Sequence, residues 1–159
     1  MPRQEYKMAN TTFQGVVRSY GGGTKGTHTP VPMTQSVVIS FDPTATSATN
    51  VRIGTSATSG ETLTLPAGAV PIQLTIFGGA TGGSSPTVDI GTSADPDGLF
   101  NDVDADHSGN GIVGANGALV VGGGLAADAT VTGMKGSSAA TGGTFTGVLT
   151  YVMAEAGAQ

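Results

Sequence analysis

Short apolar segments with a two-residue period dominate the chain from Thr34 onward. The clearest lies in residues 69–78, where four aliphatic side chains occupy alternate positions: Val70, Ile72, Leu74 and Ile76. Because successive side chains of a strand point to opposite faces, this pattern predicts a strand that buries all four on one face. Pro71 has no amide donor, which predicts an edge position or a bulge at that end of the strand.

A second alternating segment lies near the C-terminus, in residues 143–153. It places apolar side chains on one side and threonines on the other: Phe145, Leu149, Tyr151 and Met153 against Thr144, Thr146 and Thr150. Weaker patterns predict further strands at 36–41, 50–55, 87–92, 117–123 and 129–134. Turn residues separate them at intervals of about ten residues, which is typical of a sandwich or a barrel.

No window has the apolar spacing of a helix of three turns, and at most one short helical turn is expected near residues 96–103. The sequence therefore predicts an all-β domain over residues 34–159. Residues 1–33 are polar, and residues 21–32 combine three consecutive glycines with Pro30 and Pro32. They predict an N-terminal arm and a Gly/Pro linker, which is either a docking arm or a frayed end.

Composition predicts a thin core that gains stability from self-association. The chain has 159 residues, of which 38% are hydrophobic, 5% are aromatic and 27 are glycine. So little bulky apolar material favours burial of strands or faces against copies of the same chain. Cysteine is absent, which excludes disulfides, thiolate nucleophiles and cysteine-ligated metals.

The charge balance argues against nucleic acid as a partner. The chain has six basic and eleven acidic residues, so its net charge is −5. The basic residues do not cluster, whereas binding to a phosphate backbone needs several of them together. Four of the six lie within the first 25 residues, so attachment to an acidic surface would involve that end. The sequence has no apolar core of a secretory signal and no run long enough to span a membrane, so we expect a protein made in the cytoplasm without a membrane partner.

One acidic segment is a weak candidate for a calcium site. Asp102, Asp104 and Asp106 alternate as they do at the start of an oxygen-ligand calcium loop. With Asp104 as the first position, the turn glycine falls on Gly109, but Ala115 stands where a bidentate glutamate is required. The alternative, which we prefer, is that these residues form Asx turns and tolerate left-handed backbone geometry.

Catalysis has little support in the sequence. The two histidines, His28 and His107, lie in the linker and in the acidic segment, and no serine lies in a G-x-S-x-G elbow. Glycoside hydrolysis would need aromatic sugar platforms, whereas the chain has no Trp and three Tyr. We therefore predict no enzymatic activity, no catalytic residue and no cofactor.

Residues 65–105 carry short motifs that resemble a known group of proteins. Leu-Pro-Ala precedes the alternating strand, and a Gly/Ser/Thr hairpin leads to Thr-Val-Asp-Ile-Gly and Asp-Pro-Asp. Their positions are 65–67, 87–91 and 95–97, with looser matches at 117–119, 130–132 and 146–152. This pattern resembles small structural proteins of tailed bacteriophages that are described as head decoration, cement or head-fibre proteins.

The resemblance implies an antiparallel β-sandwich, jelly-roll-like and commonly trimeric, that binds the outside of an icosahedral capsid. It implies a virion structural protein made in the host cytoplasm and located on the capsid surface. Its partners would be the major capsid protein and copies of itself. The alternative class is a receptor- or carbohydrate-binding β-module of a virion fibre or a cell surface, with loops at one end of the sandwich making the recognition.

Overall fold

The computed structural model describes residues 34–106, 111–120 and 124–153, and the predicted arm lies outside them. The strands within these ranges are β1 (Thr34–Phe41), β2 (Thr49–Asn50), β3 (Arg52–Ile53), β4 (Thr64–Leu65), β5 (Ala69–Thr81), β6 (Thr87–Gly91), β7 (Phe100–Asp104), β8 (Gly111–Gly114), β9 (Ala129–Thr130), β10 (Thr132–Lys135) and β11 (Gly142–Met153). The described residues contain one helical element, a 3₁₀ turn at Ala118–Val120. The prediction of an all-β fold is confirmed.

The strands form two larger antiparallel sheets and one small pair. One sheet has the order β3-β1-β11-β5-β8, the second β2-β10-β6-β7, and β4 pairs with β9. Apart from the short β3, β4 and β9, the chain crosses between the larger sheets at every step except that from β6 to β7. The four-strand orders β1-β11-β5-β8 and β2-β10-β6-β7 are those of a jelly roll, which confirms the predicted antiparallel sandwich.

The inward faces of the two larger sheets share one apolar core. Phe41 of β1 lies opposite Phe145 of β11, with ring centroids 4.9 Å apart. Ile90 and Phe100, from β6 and β7, belong to the same buried cluster. Phe145 and Leu149 are buried, as the alternation in 143–153 predicted, because odd-numbered residues of β11 point inward.

The prediction that four aliphatic side chains of β5 share a buried face is wrong for two of them. Leu74 and Ile76 are fully buried, but Ile72 is 42% exposed and Val70 is only partly buried. Thr150 pairs with Gln73 and Tyr151 with Pro71, so Ile72 is an extra residue in a β-bulge. Because of this extra residue, odd-numbered residues of β5 point inward before the bulge and even-numbered residues point inward after it. The expectation of an edge or bulge at Pro71 is therefore confirmed.

One other predicted segment also differs from the structure. Residues 117–123 do not form a described strand, since 118–120 are a 3₁₀ turn and 121–123 lie outside the described residues. Residues 96–103, where at most one helical turn was expected, contain a tight turn, and β7 begins at Phe100. The strands β7 and β8 lack a strong alternating pattern, and the sequence did not predict them.

The Gly/Ser/Thr segment after β5 is a crossover and not a hairpin. It leads from one larger sheet to the other, so β5 and β6 do not pair. Gly82, Gly83 and Ser85 all have positive φ there, which explains the need for turn residues. No helix of the described residues is long and apolar enough to cross a membrane.

Candidate interaction surface

The acidic segment of the sequence lies largely in the four-stranded sheet. Asp102 and Asp104 belong to β7, and Asp106 follows two residues after its end. Asn101 and Asp102 face the single residue Asp89 of β6 across a β-bulge. This bulge gives Asp102 a φ of +50°, the left-handed geometry that Asp tolerates better than most residues.

The Asp102 side chain connects three segments of the chain. Its Oδ1 accepts hydrogen bonds from the Ser137 backbone N–H at 2.7 Å and from the Thr87 hydroxyl at 2.8 Å. Its own backbone N–H donates to Asp89 Oδ1 at 2.8 Å. The bond from the Ser137 N–H, with further bonds from the side chains of Ser137 and Thr87, lowers the pKa of Asp102. This carboxylate therefore stabilises the bulge and the loop between β10 and β11.

Asp104 and Asp106 form part of a local turn. The Asp106 backbone N–H donates to Asp104 Oδ1 at 3.2 Å, which is the geometry of an Asx turn. Within the described ranges, no three acidic or histidine side chains are grouped so that they could hold a metal ion. His107 and Gly109 lie outside those ranges, as does His28, so the calcium hypothesis stays a prediction.

The motif residues of the β6–β7 connection build a tight backbone turn. The Thr92 N–H donates to the Asp95 carbonyl at 2.8 Å, and the Asp95 N–H donates to the Thr92 hydroxyl at 3.2 Å. A methyl group on Gly91 would collide with the Asp95 carbonyl, and one on Gly117 would collide with the backbone of Gly98. The glycines of these motifs are needed because backbone segments pack directly against each other.

Five large hydrophobic side chains are exposed among the described residues, and all of them belong to the five-stranded sheet. They are Val38, Ile53, Ile72, Phe77 and Ile112. Ile112 is 67% exposed and Phe77 is 56% exposed. Ile53 pairs with the core residue Ile39, so it lies on the opposite side of the sheet from Val38. The other four indicate a surface that is covered in the functional state.

Strand register places several of these residues on one outward face. Val38 pairs with Val148, Val148 with Thr75, and Thr75 with Ile112, so the four form one row across the sheet. The adjacent row contains Ser36, Thr150 and Gln73. Ser36 and Thr150 share a 3.1 Å hydrogen bond between their hydroxyls. We call the outward side of β1, β11, β5 and β8 the uncharged face.

Two β-bulges add apolar side chains to the uncharged face. Ile72 is the extra residue of the first bulge, and Phe77 is the extra residue between the Ile76–Gly147 and Gly78–Thr146 pairs. A bulge lets two successive residues lie toward the same side of a sheet. Sequence alternation placed Ile72 in the core, and only Pro71 signalled that the alternation would be interrupted.

Charge is unevenly distributed between the two larger sheets, and in the five-stranded sheet it is confined to Arg52 of the short edge strand β3. The strands β1, β5, β8 and β11 contain no Asp, Glu, Lys or Arg. The four-stranded sheet contains Asp89, Asp102, Asp104 and Lys135. The domain therefore has one apolar, hydroxyl-rich face without formal charge and one face rich in carboxylates.

Comparison with known proteins gives a structural likeness without a sequence relative. No family model and no curated protein matches the sequence. A chain of the solved structure described as "Cyanophage Pam1 capsid asymmetric unit" is similar, with a TM-score of 0.50 and 16% sequence identity. The match covers 92% of this chain and 99% of that chain. At this identity the likeness shows a shared fold.

Proposed function

We propose that the protein is a virion structural protein that decorates the outer surface of a tailed-phage head. It binds the major capsid protein by non-covalent contacts, stabilises the head as a cement protein does, and has no enzymatic activity. The observation that carries the proposal is the fold likeness to a chain of a cyanophage capsid unit, which extends over almost all of that chain. The phage-like motifs in residues 65–105 support the same assignment independently.

Features of the described domain support this role. The jelly roll is an architecture that viral capsid domains share. A face without charged side chains, rich in Val, Ile and Thr, suits burial in a permanent assembly better than contact with water. We propose that the protein acts as a homo-oligomer, most simply a trimer, because its core is small and its exposed apolar side chains lie on one sheet.

We assign the capsid attachment to residues 1–33. This segment contains Arg3, Lys7, Arg18 and Lys25 and only one acidic residue, Glu5. The remainder of the chain is strongly acidic, so the two parts have opposite charge. A basic segment is suited to an acidic capsid surface, and such contacts weaken as salt increases.

A binding assay with capsids that lack the protein tests the function. The full chain should co-sediment with such capsids and saturate at a whole multiple of the lattice sites. Deletion of residues 1–32 should leave the β-domain folded and lower the occupancy. The triple change Lys7→Gln, Arg18→Gln and Lys25→Gln should weaken binding, whereas the control Lys135→Gln should not.

The alternative, a glycan- or receptor-binding module, predicts different results. Lectins also use jelly rolls, and their ligands bind at the loops. Specific signal on a glycan array, together with no association with capsids, would refute the decoration role. Unchanged occupancy after deletion of residues 1–32 would instead place the attachment on the sandwich.

A further inference from the structure

We infer that the uncharged face is the surface through which copies of this chain associate. The inference rests on the oligomer in the proposed function, and it names the surface and its occupant. The face is centred on the row of Val38, Val148, Thr75 and Ile112, and Ile72 and Phe77 lie at its bulges. The occupant is the same face, or an adjoining surface, of a second copy.

The exposure of this face is costly if it remains in water. Phe77 and Ile112 are more than half exposed, and Val38 and Ile72 are about two-fifths exposed. These side chains come from three different strands, yet register and bulges bring them to one side of the sheet. Several exposed apolar side chains on one side of a sheet are typical of an interface and not of a solvated face.

Charge identifies a second copy as a suitable occupant. The protein carries a net charge of −5, and Asp89, Asp102 and Asp104 lie in the opposite sheet. Two copies that met through those carboxylates would repel each other. Two copies that meet through the uncharged face bring no like charges together, because β1, β5, β8 and β11 contain no ionisable Asp, Glu, Lys or Arg.

The size of the face is adequate for self-association. The strands β1, β11, β5 and β8 have 8, 12, 13 and 4 residues. At about 3.3 Å per residue and about 4.8 Å between strands, they cover a flat area of about 600 Å². Side-chain relief increases the accessible area above that value. A standard interface takes about 800 Å² from each partner, so the uncharged face supplies most of one. Its threonine and serine hydroxyls can satisfy hydrogen bonds across the contact.

Sedimentation equilibrium of the full chain tests this inference. The unmodified protein should have a mass that is a whole multiple of 15.5 kDa. The double change Val38→Lys and Ile112→Lys should give a 15.5 kDa species at the same concentration, with an unchanged circular dichroism spectrum. The control Asn50→Lys and Asn101→Lys adds the same charge to exposed positions of the other sheet and should assemble normally.

A milder pair of substitutions covers the case in which the lysine variant does not fold. Val38→Thr with Ile112→Thr keeps β-branched side chains and removes apolar area, and it should raise the dissociation constant about tenfold to a hundredfold. Assembly of the threonine pair with the original affinity would overturn the inference. So would a full-length protein that is monomeric at all concentrations.

This experiment separates the inference from the proposed function. A stable oligomer that fails to bind capsids would retain the self-association surface and refute the decoration role. A monomer that saturates capsid sites would refute the self-association surface and retain the decoration role.

Discussion

The Asp102 carboxylate accepts a 2.7 Å hydrogen bond from the backbone N–H of Ser137, which lies 35 residues further along the chain. The same oxygen also accepts the Thr87 hydroxyl. Gly136 leaves the space for this arrangement, because a methyl group there would lie 2.6 Å from Asp102 Oδ1. Asp102, which the sequence pattern suggested as a calcium ligand, thus stabilises a bulge.

Substitutions of Asp102 separate its hydrogen bonds from its backbone geometry. Asp102→Gly removes the acceptor but tolerates a φ of +50°, whereas Asp102→Ala loses the acceptor and is also strained. We expect Gly to be more stable than Ala by about 1 kcal/mol, with Asn closest to the native protein. Urea denaturation of the three variants measures the order of their stabilities. An alanine variant more stable than the glycine variant would contradict the role of the positive φ.

The stability that depends on Asp102 should be lost in acid. The hydrogen bond from the Ser137 N–H is the main reason that the pKa of Asp102 lies below its ordinary value of 3.8. A depressed pKa means that the contribution is present above the unfolded value and disappears as pH falls through the folded one. The difference in unfolding free energy between the native protein and Asp102→Asn should shrink below about pH 4. A difference that stays constant down to pH 2 would refute this explanation.

Gly133 should not tolerate a side chain, because it packs against the Phe41 ring. A methyl group there would lie 2.7 Å from ring carbons of Phe41, which is fully buried. Gly133→Ala should destabilise the domain by about 1–3 kcal/mol through overpacking. The control Gly114→Ala, with no atom within 4 Å of the added methyl group, should be nearly neutral in thermal unfolding.

A second substitution tests whether the ring causes that loss. Phe41→Leu combined with Gly133→Ala should cost less than the sum of the two single changes, since the smaller side chain relieves the collision. Additive effects would show that the cost of Gly133→Ala arises elsewhere.

The turn and calcium interpretations of the acidic segment differ in a melting experiment. The Asx turn between Asp104 and Asp106 leads us to expect no change in melting temperature on chelation. A calcium ion bound only to the native state would raise the melting temperature by mass action. A calcium-dependent rise of several degrees, abolished by Asp104→Ala with Asp106→Ala, would establish the calcium site.

Local alternation predicted the strands that bury one face, but it failed where the backbone departs from a regular pleat. In β5 it placed Leu74 and Ile76 correctly and Ile72 wrongly, because a bulge depends on the register with β11 and not on local sequence. The segment 50–55 proved to contain two short strands in different sheets, separated by the buried Val51. Such a change of sheet depends on tertiary packing.

The uncharged face was partly visible in the sequence. The absence of charge from the strands around Val38 and Leu149 can be read directly from the printed residues. Its position could not be read, because it requires the pairing of β1 with β11 and of β5 with β8. The contacts of Asp102 with Thr87 and Ser137 are likewise long-range, so no local sequence pattern predicts them.

The decoration role is tested most directly by a three-dimensional reconstruction of phage heads that contain the protein and of heads that lack it. The difference density should show jelly-roll domains on the outer capsid surface, grouped in oligomers, at a copy number that is a whole multiple of the lattice sites. Heads with no difference density on the capsid, or density confined to tail fibres, would contradict the proposed function.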